Sequence, residues 1–257
     1  MPDILTASGV SKIYFDTHEG HDVLALSGVS LNVAAHEFVS VIGPSGCGKS
    51  TFLRIVAGLE RPTAGEISVS GRKVIGPGAD RGMVFQEYAL LPWKTTEANI
   101  EFGLRLKKVP AVERRAITQR FVDLVGLTGF EKKYPHQLSG GMRRRAAVAR
   151  VLANNPAMLL MDEPFAAVDA MTRQRLQEEL TSITAQERTT VLFVTHAIDE
   201  AVFLSDRVVA LSGRPGRIVA DIRIDLPRPR QWEAVLHDAR FASYRDRLTQ
   251  SIHGGHT

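Results

Sequence analysis

A nine-residue glycine-rich segment, GPSGCGKST from Gly43 through Thr51, constrains this chain more than any other feature of its 257 residues. It matches the spacing G-x-x-x-x-G-K-[ST], in which backbone N–H groups surround the phosphates of a nucleotide. The segment before it, EFVSVIG, is short, apolar and rich in valine, which predicts a buried strand. The segment after it, FLRIVAGL, has helical spacing and ends at Gly58. A strand, a glycine-rich turn and a helix in this order predict an α/β fold built on a parallel sheet.

The residue types of this segment each have a physical reason. Glycines allow close backbone approach and positive φ angles, so that N–H groups can converge on phosphate oxygens at a helix N-terminus. Lys49 supplies positive charge to the β- and γ-phosphates, and the Ser50 hydroxyl is placed to ligate Mg²⁺. Cys47 lies at the same helix N-terminus, where a lowered thiol pKa is expected. The candidate nucleotide-binding residues here are Gly43, Pro44, Ser45, Gly46, Cys47, Gly48, Lys49, Ser50 and Thr51.

Three further apolar runs end in polar side chains suited to phosphate chemistry. MLLMDEP carries Asp162, a candidate Mg²⁺ ligand, followed at once by Glu163, which can polarise an attacking water. TVLFVTH ends in His196, and GMVFQ ends in Gln86, whose amide could contact Mg²⁺ or the water. A lone histidine at a strand end is more often structural than catalytic. Open α/β sheets bind ligands at such strand ends, however, so the set favours catalytic roles for Glu163, His196 and Gln86.

Composition excludes several classes of protein. One cysteine rules out a disulfide framework and a four-cysteine zinc site, and it indicates a reducing compartment. The N-terminal residues lack the pattern of a secretory signal, and no apolar run approaches the roughly 18 residues that span a bilayer. The excess of 32 basic over 28 acidic side chains is small and dispersed. It favours a solvated surface over a nucleic-acid interface.

The pattern of elements predicts four segments. Residues 1–90 hold an antiparallel β subdomain, indicated by strand-like alternation over residues 1 to roughly 40, together with the phosphate-loop part of the core. Residues 91–155 have helical spacing, as in AVERRAITQRFVDLVGL, and predict a helical subdomain. Residues 156–224 return to buried parallel strands joined by a crossover helix. Residues 225–257 mix prolines, arginines and a weak helix, and we expect them to be peripheral.

A second anion-binding helix end is predicted at LSGGM, Leu138 through Met142. Ser139 is a good N-cap, Gly140 and Gly141 expose backbone N–H groups, and MRRRAAVARVLAN has a strong helical pattern.

With these motifs assembled, the chain resembles the ATP-binding subunits of ABC transporters over nearly its whole length. The matching elements are the phosphate loop, Gln86, LSGGM, MLLMDEP, the AAVD string ending at Asp169, and His196. The resemblance implies a P-loop NTPase with a RecA-like parallel sheet core, an N-terminal antiparallel β subdomain and an inserted α-helical subdomain. It implies hydrolysis of ATP with Mg²⁺ by a subunit peripheral to the cytoplasmic face of the inner membrane.

The resemblance also implies a site shared between two chains, either a homodimer or a pair with a paralogue. Ser139, Gly140 and Gly141 would contact the γ-phosphate bound to the opposite subunit, and Asp169 would lie at the same interface. Tyr14 would stack on adenine, with packing of this strand aromatic in the core as the alternative.

Two strings resemble the nitrate, sulfonate and taurine importer group: GPGADRGMVFQEYALLPW, residues 76–93, and SGRPGRI, residues 212–218. That likeness implies a separate transmembrane permease and, indirectly, a solute-binding protein. The family's helical subdomain receives a permease helix near Leu90, Leu91, Pro92 and Trp93, with packing of Leu90 and Trp93 inside the subdomain as an equal alternative.

The chain departs from the commonest family pattern at two points. Met142 stands where glutamine is usual, and Ala166 to Asp169 replace the commoner Ser-Ala-Leu-Asp, yet the backbone donors and the acidic group are kept.

A soluble ABC-type ATPase acting on nucleic acid or ribosomes is the main alternative. Such proteins carry long coiled-coil or zinc insertions or tandem cassettes, so we expect no nucleic-acid partner. An unrelated P-loop kinase or GTPase would leave LSGGM and His196 unexplained.

Overall fold

A computed structural model describes residues 3–15, 20–85, 89–166 and 169–254. Gln86 therefore lies outside the described residues, as do Ala167 and Val168 of the AAVD string. The strands are β1 Asp3–Phe15, β2 Asp22–Ala34, β3 Phe38–Ile42, β4 Ala64–Val69, β5 Arg72–Lys73, β6 Arg81–Val84, β7 Met158–Asp162, β8 Thr190–Val194, β9 Arg207–Leu211 and β10 Ile218–Arg223. The helices are α1 Lys49–Ala57, α2 Thr96–Ile100, α3 Phe102–Leu106, α4 Ala111–Leu124, α5 Gly140–Leu152, α6 Ala170–Gln186, α7 Ile198–Leu204, α8 Trp232–Leu236 and α9 Ala239–Gly254, with a short 3₁₀ turn at Pro135–Gln137.

Two sheets form the frame of the molecule. The first has the order β2-β1-β4-β5, and its pairs are antiparallel, as the alternating N-terminal pattern predicts. The second has the order β10-β9-β3-β8-β7-β6. Within it β3, β6, β7, β8 and β9 pair in parallel, and β10 is added antiparallel at the edge. The predicted α/β architecture with an antiparallel β subdomain is confirmed.

Both faces of the parallel sheet are covered, which explains why its strands are continuous apolar runs. Side chains alternate between two core clusters because successive residues of a strand point to opposite faces. In β8, Val191 and Phe193 belong to one cluster, and Leu192 and Val194 to the other. The second cluster contains α1 and the antiparallel sheet, and the first contains the helical subdomain, α6 and α7. The sheet is therefore the middle layer that holds both subdomains.

Helices α2 to α5 form the expected helical subdomain, on which a buried asparagine shapes an exposed loop. The side chain of Asn99 is fully buried and accepts from Leu91 N at 2.8 Å, while its amide donates to Leu91 O and Lys94 O. These bonds hold the backbone on either side of Trp93, whose side chain is 70% exposed. Leu90, in contrast, packs against the core cluster of this side. The exposure of Trp93 agrees with a surface that contacts the permease, whereas Leu90 packs inside the subdomain, as the alternative expects.

The C-terminal segment is more closely integrated than its composition predicts. We expected residues 225–257 to be peripheral, but Trp232, Val235, Phe241 and Leu248 are buried members of the main core cluster. Trp232 stacks on Phe203 of α7, with ring centroids 4.1 Å apart and planes within 5°. Aromatic burial of this kind is energetically large, and it outweighs the loop-forming tendency of the neighbouring prolines. The domain boundaries drawn from the sequence otherwise stay predictions.

A buried arginine joins this segment to the end of α7. The guanidinium of Arg230 donates to the carbonyls of Val202, Phe203 and Ser205 at 2.8–3.1 Å, and to Leu226 O at 3.2 Å. The last carbonyls of a helix have no partner inside the helix, so a buried helix end needs such a donor.

Among the described residues, every helix is too short or too polar to cross a membrane.

We expect Arg230→Lys to lower the free energy of unfolding by about 2 kcal/mol, because one ammonium group leaves several buried carbonyls without a donor. Urea denaturation followed by tryptophan fluorescence measures this. Arg247→Lys, on the exposed side of α9, is the matched control and should stay within about 0.5 kcal/mol of the parent. Equal stabilities of all three proteins would contradict the assignment.

Candidate functional site

The glycine-rich loop leads from β3 into α1 as predicted, and its glycines are required by geometry. Gly46 and Gly48 have φ angles of 77° and 99°, which residues with a Cβ rarely adopt. A Cβ on Gly48 would lie 2.7 Å from Leu26 Cδ2 and 2.9 Å from Ala25 O. The loop thus lies directly against β2, with its backbone free to turn toward a ligand at the start of α1.

Lys49 places a positive charge inside this loop. Its side chain is buried, and Nζ donates to Gly43 O at 2.8 Å and Pro44 O at 3.0 Å. The ammonium group therefore spans the loop in the position where incoming phosphate oxygens could exchange for the two carbonyls.

Ser50 and Asp162 meet across the sheet edge. Ser50 Oγ donates to Asp162 Oδ1 at 2.8 Å, although 112 residues separate the two in sequence. Burial raises the pKa of Asp162, and the Ser50 hydrogen bond opposes that shift. A hydroxyl and a carboxylate oxygen at this spacing are the hard ligands that Mg²⁺ takes from a protein, with phosphate and water completing its shell. The described residues contain no group of three or more His, Cys, Asp or Glu side chains that could hold a metal unaided.

Glu163 and His196 form a second pair at the same edge. His196 Nδ1 lies 2.9 Å from Glu163 Oε2, and Glu163 N donates to Val194 O at 2.9 Å. Glu163 has a φ of 43°, in the left-handed region that a residue with a Cβ avoids. Such strain persists where surrounding contacts enforce it, and it is concentrated at functional sites. The sequence predicted these two residues at strand ends, but only the structure shows the strain and the contact.

Tyr14 lies beside the start of α1 with its ring 37% exposed. Its hydroxyl is 3.1 Å from Thr51 Oγ1 and donates to Glu60 Oε2 at 2.5 Å. Lys12 Nζ lies 5.0 Å from the ring centroid. The ring is therefore not packed in the core, the alternative left open by the sequence, and its stacking on adenine stays a prediction. Glu60, which sequence reasoning missed, anchors the ring from the loop after α1.

The LSGGM turn presents a helix end to solvent. Ser139 is the N-cap of α5 and accepts from Met142 N at 3.3 Å, so the capping bond survives the unusual Met142. Ser139 and Gly140 are both exposed. Asp169 is likewise the N-cap of α6, where it accepts from Thr172 N at 3.0 Å, and these Thr172 hydrogen bonds lower the pKa of the carboxyl. The structure thus brings Asp162 into contact with Ser50 of the phosphate loop and His196 into contact with Glu163. Ser139 and Asp169 instead cap their own helices.

The expectation for Cys47 is wrong. Its side chain is only 1% exposed, and burial raises the pKa of the thiol above its usual value. The nearby Lys49 charge and backbone hydrogen bonds lower it by less than burial raises it. The loss of solvation of a buried thiolate opposes the stabilisation that a helix N-terminus and a nearby cation supply, and at Cys47 the loss of solvation is the larger effect.

The SGRPGRI string, which resembles the importer group in sequence, packs on the phosphate loop. A Cβ on Gly216 would lie 2.1 Å from Cys47 O, and Arg214 Nε donates to Gly46 O at 3.4 Å. Gly216 also exchanges backbone hydrogen bonds with Ala25 and Ser27 of β2. This segment therefore supports the loop from behind, a role that only its position in the fold discloses.

Comparisons with known proteins agree with this geometry. The ABC transporter family matches residues 26–166. An uncharacterized ABC transporter ATP-binding protein of Methanocaldococcus jannaschii is 52% identical over 244 residues, covering 95% of this chain and 89% of that protein. A nitrate import ATP-binding protein of Synechocystis sp. is 44% identical over 240 residues, covering 91% of this chain and 90% of that protein.

Solved structures give the same answer. A dimeric ATP-binding cassette in a post-hydrolysis state with ADP and Pi bound is 32% identical, with a TM-score of 0.73 over 87% of this chain and 100% of that one. The P-loop NTPase fold predicted from the motifs is confirmed. The chain belongs to the ABC transporter family, in which it is an ATP-binding subunit that hydrolyses ATP.

Proposed function

We propose that this subunit powers an importer of a small anion, nitrate in the first place, by driving a separate transmembrane permease from the cytoplasmic face of the inner membrane. The similarity to the Synechocystis nitrate import protein over most of both chains supports this. A solute-binding protein would deliver the anion to the permease. Sulfonates and taurine, which the sequence strings also suggested, are the other solutes to be tested. No contact of the described site favours the alternative, an ATPase acting on nucleic acid or ribosomes.

The observation that carries the hydrolytic part of the proposal is the Ser50–Asp162 contact of 2.8 Å. It brings the two oxygen ligands proposed for Mg²⁺ to the mouth of the phosphate loop, and Gln86 is proposed as a third ligand. Bound there, Mg²⁺ would neutralise charge on the β- and γ-phosphates. Lys49 and the backbone N–H groups of the loop would hold the same phosphates in place.

Glu163 is the proposed general base. Its carboxylate follows directly after Asp162, and His196 fixes one carboxylate oxygen at 2.9 Å. With that oxygen held, the other is free to accept a proton from a water aligned with the γ-phosphate. His196 would thus orient Glu163, and its own imidazole would lie near the γ-phosphate at the edge of the sheet.

One chain supplies two unlike halves of a composite site. The phosphate loop binds the nucleotide from one side, while the exposed Ser139–Gly140 turn offers free helix N–H groups without a lysine of its own. We propose that this turn, with Gly141, contacts the γ-phosphate on an opposing subunit, and that Asp169 lies at that interface. Tyr14 would stack on the adenine. Dimerisation then becomes a step of hydrolysis.

We expect Glu163→Gln to retain ATP binding and to reduce turnover by about 10²-fold or more, because the amide accepts no proton. The bound ATP should also hold two subunits together. Phosphate release and size-exclusion chromatography with light scattering measure the two effects. Glu113→Gln, on an exposed position of α4, is the control. Full turnover by a monomeric Glu163→Gln protein would overturn the role of Glu163.

Ser139→Arg should abolish hydrolysis while leaving the affinity of the monomer for nucleotide unchanged, because it blocks only the face presented to the partner. Fluorescent nucleotide titration and steady-state ATPase assays separate the two properties. Ser182→Arg makes the same change on an exposed position of α6 and should behave like the parent. An unaltered kcat in Ser139→Arg would exclude the composite site.

Deletion of the gene should abolish growth on nitrate as nitrogen source and leave growth on ammonium intact. Complementation with the parent or with Glu113→Gln should restore growth, and complementation with Glu163→Gln should not. Parallel cultures with taurine or an alkanesulfonate as sulfur source test the other solutes. Normal growth on nitrate together with loss on taurine would replace nitrate as the proposed solute.

A further inference from the structure

A row of buried polar side chains runs from the C-terminal segment toward the catalytic edge of the sheet. Trp232 Nε1 donates to Gln177 Oε1 at 2.9 Å, and Gln177 Nε2 donates to Glu200 Oε1 at 2.6 Å. Trp232, Gln177 and Glu200 are 9%, 1% and 6% exposed. The three lie on α8, α6 and α7, so this polar chain crosses three elements that are distant in sequence.

The other end of the polar chain reaches the turn that displays His196. Glu200 lies in the first turn of α7, beside the Thr195 hydroxyl, and Thr195 Oγ1 accepts from Ala197 N at 3.0 Å. Thr195 N donates to Val41 O at 3.2 Å, which fixes the turn to β3. The residues on both sides of His196 are thus joined by the Thr195 hydroxyl, and the helix that follows them carries Glu200.

This arrangement is costly unless every member keeps its partner. Burial raises the pKa of Glu200, and the hydrogen bonds from Thr195 and Gln177 oppose the shift. A buried carboxylate or amide that loses its partner bears the full desolvation penalty. Simple packing between α6, α7 and α8 would need only apolar side chains. Polar groups at these positions instead restrict the allowed arrangements to one.

We propose that Trp232 and Gln177 are positioning residues for hydrolysis, acting through Glu200 and Thr195 on the orientation of His196. The indole N–H aligns the Gln177 amide, the amide aligns the Glu200 carboxylate, and the carboxylate sets the 195–197 turn. The C-terminal segment is therefore part of the hydrolytic apparatus although it acts through α6 and α7. This inference rests on the proposed role of His196 beside Glu163.

Trp232→Phe tests the first link, because it removes the N–H donor, together with part of the indole ring, and keeps an aromatic ring beside Phe203. In the full-length ATPase we expect kcat to fall about fivefold, the weight of one ordinary buried hydrogen bond, with the KM for ATP unchanged. Gln177→Met removes the second link at similar size and should lower kcat at least as far. The double variant should be no slower than Gln177→Met. Substitutions within one hydrogen-bonded network are coupled, so their effects on kcat do not add.

Val235→Ala, on the same helix α8, is the matched control. Its buried side chain packs in the core without joining the polar chain, so the variant should lower Tm and keep the parent kcat below the transition. A parent-like kcat in Trp232→Phe, or a double variant whose loss is the product of the two single losses, would overturn the proposal. So would a rise in KM for ATP with kcat unchanged.

His196→Ala separates this inference from the function on which it rests. If His196→Ala keeps the parent kcat, the proposed role of His196 fails and the positioning role fails with it. If His196→Ala is inactive and Trp232→Phe is parent-like, the positioning role alone fails.

Discussion

The parallel pairing of β3, β8 and β7 between two apolar layers determines where every part of the site lies. Because these strands run in one direction, their carboxyl ends lie at one edge of the sheet, where β3 leads into the phosphate loop, β7 ends at Asp162 and His196 follows β8. The Ser50–Asp162 contact and the Glu163–His196 contact both follow from that alignment. Full burial of the strands on both faces keeps their register fixed, since a slip by one residue would exchange the two core clusters.

The phosphate loop is packed closely against neighbouring backbone segments. Behind the phosphate loop, β2 and the segment around Gly216 approach so closely that a Cβ would collide with backbone. Ser139 of the LSGGM turn and Asp169 each cap their own helix, α5 and α6. A preorganised phosphate loop and a separate exposed helix N-terminus on one chain fit the composite site that we propose between two subunits.

The C-terminal segment changes how the ATPase core is bounded. Arg230 caps α7, Trp232 stacks on Phe203, and the indole joins the polar chain that ends beside His196. The segment around Trp232 therefore stabilises the fold through apolar burial, and its indole N–H orients the Gln177 amide through a hydrogen bond. The two contributions are physically distinct, because apolar contact tolerates small rotations that a buried hydrogen bond does not.

The phosphate loop, the buried strands, the LSGGM helix end and the family can all be recognised from the amino-acid sequence, because these signals are local and have their own spacing. Asp162, Glu163 and His196 were predicted as site residues in the same way. The burial of Cys47 that raises its pKa, the left-handed conformation of Glu163 and the support of the loop by Gly216 become visible only in the folded chain. The tertiary structure alone places Trp232 in the core. These features arise from contacts between residues far apart in the chain, where burial and close approach override local preference.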